Sequence, residues 1–174
     1  MANMKIRIAI SVLLASALLF ASNIITAKVI GVSDGDTIKI LHNNQEVKIR
    51  LYGIDSPEKK MPYGTKAKQF ASAFCFNQIV EVHVKEVDHY GRTVAEVFVN
   101  GESLNQAMVK NGYAWWYRKY APNDTLLRSL EDQARIAKRG LWKDPKPRPP
   151  WEWRKEKREK AAIKKAQKKQ KKNR

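Results

Sequence analysis

Two arginines and several carboxylates lie in three short segments of the chain. Residues 50–58 are Arg-Leu-Tyr-Gly-Ile-Asp-Ser-Pro-Glu, residues 34–37 are Asp-Gly-Asp-Thr, and residues 88–92 are Asp-His-Tyr-Gly-Arg. These segments offer oxygen ligands for a hard cation, a carboxylate that can take a proton from water, and guanidinium groups for phosphate oxygens. This set of groups is suited to the hydrolysis of a phosphodiester.

The carboxylates of the first two segments are candidates for a cation site. Asp36 lies just past a predicted turn, at a strand position where aspartate is disfavoured. A second turn at residues 43–44 pairs the flanking strands, so we expect Asp36 and Asp55 to approach each other at one end of the sheet. With an oxygen of Ser56 and waters, they would form an oxygen-rich site of the kind Ca²⁺ prefers. Mg²⁺ is the alternative, and the number of ligands does not distinguish it from Ca²⁺.

The arginines are candidates for binding phosphate. Arg50 alternates with apolar neighbours in a predicted strand, and Arg92 follows a turn at Tyr90 and Gly91. Guanidinium groups bind phosphate oxygens bidentately and stay charged at every relevant pH. A solvated strand face is the alternative interpretation of Arg50.

The charge of the chain favours a polyanionic partner. Its net charge is +17, and residues 151–174 contain 12 Lys or Arg against three Glu. Such a field attracts nucleic acid first and an anionic membrane surface second. The Lys-rich end of the chain therefore predicts salt-sensitive binding to phosphates.

The first 27 residues resemble a signal peptide. Lys5 and Arg7 precede an uncharged apolar run over residues 8–21, which predicts export to the periplasm or the cell exterior. Cleavage is expected between residues 21 and 27. An uncleaved membrane anchor over residues 8–27 is the alternative, which the polar residues at its end and the strand pattern directly after it oppose.

Other chemistries find no support in the sequence. Cys75 is the only cysteine, so an intramolecular disulfide is excluded, and its apolar surroundings predict a buried thiol. His42, His83 and His89 lack the spacing of metal ligands.

The pattern of elements predicts an α+β fold. Strands are expected in a three-stranded meander from residue 28 and over residues 79–85 and 93–99, with helices over residues 63–77, 103–112 and 124–139. Five strands with a helix between the third and fourth indicate an OB-fold β-barrel, here with three helices. This domain spans residues 28–143. An extended strap rich in proline and tryptophan follows over residues 144–153, and residues 154–174 form a basic tail that is disordered or helical.

These motifs together resemble the thermonuclease, or staphylococcal nuclease-like, family. The resemblance extends over residues 27–142 and includes the three segments above in the family's order and spacing. It implies Ca²⁺ ligation by Asp36, Asp55 and the carbonyl of Ser56. It further implies that Glu58 is the general base, that Arg50 and Arg92 hold the phosphate, and that DNA or RNA is cut to 3′-phosphate and 5′-hydroxyl ends.

Aromatic residues near the predicted site are candidates for the substrate groove. Tyr90 and Tyr120 match family positions that contact the nucleotide, whereas Arg118 replaces a family tyrosine. Residues 115–120 interleave aromatic and cationic side chains, a pattern suited to single-stranded nucleic acid. We therefore expect Tyr90, Arg118 and Tyr120 to bind substrate.

Two other functions fit part of the sequence. A non-catalytic OB-fold that only binds nucleic acid is the first, although it would be expected to lack Glu58 or one of the arginines. The second is a protein whose basic tail docks on an anionic surface of lipid or cell-wall polymer. Nothing in the sequence implies an obligate protein partner or decides between DNA and RNA.

Overall fold

Five strands close into a barrel in the computed structural model of the protein, which describes residues 24–172. The described residues contain eight strands in all, which are, in chain order, β1 (Ile24–Asp34), β2 (Thr37–His42), β3 (Gln45–Leu51), β4 (Ile54–Asp55), β5 (Ile79–Val87), β6 (Thr93–Val99), β7 (Glu102–Ser103) and β8 (Trp115–Trp116). Antiparallel pairing gives the order β3-β2-β1-β5-β6, and a parallel pairing of β3 with β6 closes the barrel. Strands β4 and β8 form a separate two-stranded sheet.

Within residues 24–172, four α-helices accompany the barrel. They are α1 (Gly64–Cys75), α2 (Leu104–Lys110), α3 (Thr125–Ile136) and α4 (Pro150–Lys172), and a 3₁₀ turn spans Gly140–Lys143. Because α1 separates the third and fourth barrel strands, the predicted α+β OB-fold is confirmed. None of the helices in residues 24–172 combines the length and the apolar character that crossing a membrane requires.

The core lies inside the barrel and under α1. Inward-facing residues of β2 and β3, including Ile38, Ile40 and Ile49, are fully buried, as the period of two in a strand requires. Helix α1 adds Ala71 and Cys75 to the same cluster. The Cys75 thiol is buried as predicted; it donates to the Ala71 carbonyl at 3.0 Å, and burial raises its pKa to about 12.

The turn between β2 and β3 determines how these two strands pair, and this register places Arg50 in the site. Asn43 and Asn44 both have positive φ, 49° and 60°, as a two-residue type I′ hairpin turn requires. The resulting register pairs Thr37 with Arg50. The Leu51 amide also donates to the Asp36 carbonyl at 2.9 Å, so Arg50 lies beside Asp36.

The first strand begins earlier than the sequence predicts. Residues 1–23, most of the predicted signal peptide, lie outside the described residues. Strand β1 starts at Ile24 instead of Lys28, and its first four residues pair with β5, for example Ala27 with Val80. Cleavage after Ala27 would therefore remove part of a barrel strand, whereas cleavage after Ala21 would leave it whole.

The predicted extended strap is shorter than expected, because α4 begins at Pro150 and includes Trp151. Proline is tolerated in the first turn of a helix, where its missing N–H has no intrahelical partner. Trp151 packs against a second cluster formed by Trp115, Ala134, Leu141 and Trp142. This packing places the start of α4 against the barrel.

A buried amide ties the barrel closure to the segment that leads into the site. Asn105, on α2, donates through Nδ2 to the carbonyl oxygens of Tyr52 at 2.9 Å and Ala95 at 3.2 Å. Its Oδ1 accepts from the Val97 amide at 3.1 Å. Asn105 thus adds three hydrogen bonds to backbone groups at the closure, where the Ala95 carbonyl also accepts from the Tyr52 amide at 2.8 Å.

We predict that Asn105→Ala lowers the free energy of unfolding by about 2–4 kcal/mol, because three hydrogen bonds between a buried amide and the backbone are lost. Urea denaturation measures this change. Lys110→Ala, an exposed position on the same helix, is the control and should change stability by less than about 0.5 kcal/mol. A loss for Asn105→Ala as small as that of the control would contradict the assigned role.

Candidate active site

The centre of the site is an arginine between two buried carboxylates. Arg50 reaches Asp36 Oδ2 at 2.9 Å through one terminal nitrogen and Asp55 Oδ1 at 3.0 Å through the other. Asp36 and Asp55 are both buried, at 6% and 1% exposure. The expected approach of the two aspartates is therefore present, and the Arg50 guanidinium bridges them.

A close backbone approach brings the two loops together. The Ser56 amide donates to Asp36 Oδ2 at 2.6 Å. The Gly35 backbone lies so close to residue 56 and α1 that a Cβ added at position 35 would come within 2.8 Å of both Ser56 Oγ and the Ala67 side chain. The turn that carries Asp36 can pack onto residue 56 and α1 only because position 35 has no side chain.

Burial and neighbouring charge shift the pKa values of the turn carboxylates in opposite directions. Burial, together with the nearby Asp36 charge, raises the pKa of Asp34 to about 7. Burial also disfavours the charged form of Asp36, but the Arg50 charge and the Ser56 amide outweigh it and hold the Asp36 pKa below its usual range. Asp36 is thus the ionised member of this pair at neutral pH.

Glu58 lies at the mouth of the site and contacts a third arginine. Its Oε1 accepts from Arg154 of α4 at 2.9 Å, and Arg154 also contacts Asp55 Oδ2 at 2.6 Å. Gly64 packs against the loop, where an added Cβ would lie 2.1 Å from the Glu58 carbonyl oxygen. The loop that carries Glu58 is therefore held closely by the start of α1.

Arg92 is held by an aspartate of its own hairpin. Asp88 Oδ2 accepts from Arg92 Nε at 2.8 Å and lies 2.7 Å from its terminal nitrogen. Asp88 Oδ1 accepts from the amides of Tyr90 and Arg92, each at 2.9 Å. A small burial effect opposes the charged form, but these bonds keep the Asp88 pKa below its usual range, so the carboxylate is charged at neutral pH.

These groups surround one cleft of about 750 Å³. Eight of the nine site residues expected from the sequence line it: Asp36, Arg50, Asp55, Ser56, Glu58, Tyr90, Arg92 and Tyr120. Tyr90 is 73% exposed and Tyr120 is 52% exposed, so both present ring faces to solvent at its rim. The cleft thus combines carboxylates, cations and aromatic faces.

The ninth residue, Arg118, is not among the residues that line the cleft, and its binding to substrate stays a prediction. Its guanidinium donates to Glu131 at 2.8 Å and lies 4.6 Å from the centre of the Trp116 ring. Glu131 is fully buried and also accepts from the Trp116 amide at 3.3 Å. A buried acceptor needs such partners, and Arg118 supplies one.

The sequence is similar to known nucleases. Residues 48–144 match the family described as staphylococcal nuclease homologue. The chain is 40% identical over 137 residues to a micrococcal nuclease of Shigella flexneri, a match that covers 73% of this chain and 79% of the relative. It is 41% identical over 131 residues to an uncharacterized endonuclease of Escherichia coli O157:H7, covering 75% and 85%.

The chain belongs to the staphylococcal nuclease family. The matched residues run from residue 48, within β3, past the end of the 3₁₀ turn, and so contain Arg50, Asp55, Glu58 and Arg92. Membership of this nuclease family supports phosphodiester hydrolysis with nucleic acid as the substrate. The expected family resemblance is confirmed.

The carboxylates of this nuclease fit a hard cation in their chemistry. Among residues 24–172, no cluster of three or more His, Cys, Asp or Glu side chains is close enough to hold a metal ion by itself. However, the Arg154 guanidinium already lies between Asp55 and Glu58, so a positive charge is accommodated between these oxygens. Oxygen donors of this kind suit Ca²⁺ or Mg²⁺, both of which complete their coordination with water.

The sequence analysis missed the contribution of α4 to the cleft. Trp151 and Arg154 line it, together with Tyr117 and Lys119. The spacing of three between Trp151 and Arg154 places them on one helix face. Placing the start of the helix at Pro150 would have revealed that shared face.

We predict that Asp88→Asn lowers kcat/KM on single-stranded DNA roughly tenfold, because the Arg92 guanidinium loses its charged anchor. Steady-state cleavage assays over a range of substrate concentrations measure the effect and separate kcat from KM. Glu102→Gln removes one negative charge at an exposed position outside the cleft, and we expect it to retain wild-type rates. Equal activity of the Asp88 variant and this control would contradict the anchoring role.

Proposed function

We propose that the protein is a Ca²⁺-dependent nuclease that hydrolyses DNA or RNA in the cleft, leaving 3′-phosphate and 5′-hydroxyl ends. The observation that carries this proposal is the convergence of Arg50, Arg92, Glu58 and the two buried aspartates on one open cleft. Family membership supports the reaction class, and the cleft supplies the groups for its steps.

Asp36, Asp55 and the Ser56 carbonyl would hold the cation. A bound Ca²⁺ would orient the phosphate and neutralise part of its charge. Arg50 keeps both carboxylates together, because it contacts each at about 3 Å, and its charge opposes the burial that raises the pKa of Asp55. The two carboxylates that would hold the cation thus lie close together.

Glu58 would take a proton from the attacking water. Its side chain is 36% exposed, so water reaches it, and its loop is fixed against Gly64. A general base must lie within hydrogen-bond reach of the water it activates, and a position at the cleft mouth permits this.

Arg50 and Arg92 would stabilise the charge that develops on the phosphoryl oxygens. Arg50 has five N–H donors, and its contacts to Asp36 and Asp55 account for three, which leaves donors for a phosphate. Arg92 is fixed by Asp88 before substrate binds. Preorganised donors of this kind favour the transition state over the ground state.

Aromatic rings at the rim would stack on unpaired bases. Tyr120 packs edge-on against Tyr117 at 5.0 Å, and Lys119 lies 5.5 Å from the centre of the Tyr120 ring. Tyr90 lies at the Arg92 end of the cleft, 5.4 Å from its guanidinium. Aromatic faces beside cations suit single strands, because every base has a face to stack.

The basic helix would add affinity that depends on salt. Over residues 159–171 the side chains of α4 are exposed and include six lysines and one glutamate, so this part of the helix presents positive charge to solvent. Phosphate backbones and anionic surfaces both attract such a helix. With the predicted export, these properties fit an enzyme of the periplasm or cell exterior that meets nucleic acid there.

We predict that Glu58→Gln lowers the cleavage rate at least ~100-fold, because the water loses its base. Single-stranded and duplex DNA are tested with Ca²⁺, with Mg²⁺ and with chelator. Wild-type cleavage should require Ca²⁺ and stop with chelator, and end-group analysis of the products should find 3′-phosphates. Glu159→Gln on exposed α4 is the matched control. Cleavage that persists in chelator, or in the Glu58 variant at the wild-type rate, would contradict the mechanism.

We predict that Arg50→Lys lowers kcat/KM by roughly 10²-fold, because an ammonium lacks the planar fork that contacts two carboxylates and a phosphate together. Circular dichroism verifies that the variant is folded. Lys48→Arg exchanges the same residue types at an exposed position on the same strand and should leave the rate unchanged. Retention of more than about half of the wild-type activity by Arg50→Lys would count against this role.

A further inference from the structure

The first turns of α4 place a guanidinium on two groups of the cleft. Arg154 contacts both oxygens of Asp55, at 2.6 and 3.2 Å, and Oε1 of Glu58 at 2.9 Å. Its partners lie 99 and 96 positions earlier in the chain. These contacts are bidentate and charge-assisted, which are the stronger kind of hydrogen bond.

Aromatic packing holds α4 in the position that allows these contacts. Trp151 stacks on Tyr117 with ring centres 5.3 Å apart and an angle of 9° between the planes. It also packs edge-on against Trp115 at 6.4 Å. One turn further along, Glu156 pairs with Arg148 and with Lys160, which ties the helix to the segment that precedes it.

Arg154 and a cation would compete for the same oxygens. Asp55 Oδ1 accepts hydrogen bonds from both Arg50 and Arg154, and Asp55 Oδ2 accepts one from Arg154. A carboxylate oxygen can accept about two such bonds. A second positive charge at contact distance would be repelled by the guanidinium. Arg154 occupies Oε1 of Glu58 in the same arrangement.

We propose that Arg154 is a displaceable occupant of the cation site, so that α4 opposes Ca²⁺ binding until Arg154 leaves Asp55 and Glu58. This inference rests on the proposed function, since it concerns the same cation site. The apparent affinity for a ligand falls in proportion to the fraction of molecules that are competent to bind it. If Arg154 is engaged in about nine molecules of ten, the apparent dissociation constant for Ca²⁺ is raised about tenfold.

Calorimetric titration of Ca²⁺ into the full chain tests this proposal, with no substrate present. We expect Arg154→Gln to bind Ca²⁺ about tenfold more tightly than wild type. Arg158→Gln is the matched control, because Arg158 lines the cleft, carries the same charge, and forms no ion pair within residues 24–172. We expect its affinity to stay within about twofold of wild type, a change that corresponds to less than half a kcal/mol.

A second variant leaves Arg154 in place and loosens the helix. Trp151→Ala removes the stack on Tyr117, and we expect it to tighten Ca²⁺ binding in the same direction as Arg154→Gln. Thermal melts of both variants establish that they are folded at the temperature of the titration. The Ca²⁺ concentration for half-maximal DNA cleavage should fall in parallel for both.

The outcomes separate this proposal from the proposed function. Unchanged or weaker Ca²⁺ binding by Arg154→Gln would overturn the competition between Arg154 and the cation. The absence of Ca²⁺ binding in both wild type and Arg154→Gln would overturn the cation site and this proposal together. Tighter binding by the variant without cleavage of any nucleic acid would support the competition and overturn only the nuclease function.

Discussion

The site depends on the neutralisation of two carboxylates that the barrel buries. Asp36 and Asp55 are almost inaccessible to water, and an isolated buried charge is too costly to persist. Arg50 meets both, and its position follows from the pairing of β2 with β3 and the approach of the Ser56 amide. The glycine at position 35 permits that approach. Barrel closure, turn geometry and site charge are therefore linked through one guanidinium.

The charges of the cleft form two separate groups. Asp36, Arg50 and Asp55 form an inner group with contacts of about 3 Å, whereas Asp88 and Arg92 form an outer pair on the hairpin between β5 and β6. The inner group is suited to holding a cation and the outer pair to presenting a fixed positive charge to a phosphate. A substrate would lie between them, with the rim tyrosines available to its bases.

Much of the fold and half of the site geometry follow from local sequence signals. The two asparagines between β2 and β3 predict a tight hairpin, and that hairpin alone implies that Asp36 and Asp55 approach. Strand alternation identifies the strands of the barrel, and the place of a helix between the third and fourth strands was correctly predicted. These features are accessible because each depends on neighbours in sequence or on one antiparallel pairing.

The features that sequence reasoning missed depend on contacts between distant elements. Arg154 meets Asp55 across 99 positions, and only the docking of Trp151 makes this contact possible. Glu131 lies on an amphipathic helix, where a carboxylate predicts a solvated face, yet it is fully buried and binds Arg118. Asn105 likewise carries no local sign that it will join two elements. Burial of a polar group is decided by packing, which local periodicity does not report.

We propose that Asp36 and Asp55 form a cation site beside Arg50. A crystal structure with Ca²⁺ and a short single-stranded oligonucleotide that resists hydrolysis would test this site. We expect Ca²⁺ on oxygens of Asp36 and Asp55, a phosphate in contact with Arg50 and Arg92, and Arg154 withdrawn from Asp55. Ca²⁺ bound elsewhere, with Arg154 still on Asp55 and Glu58, would contradict it.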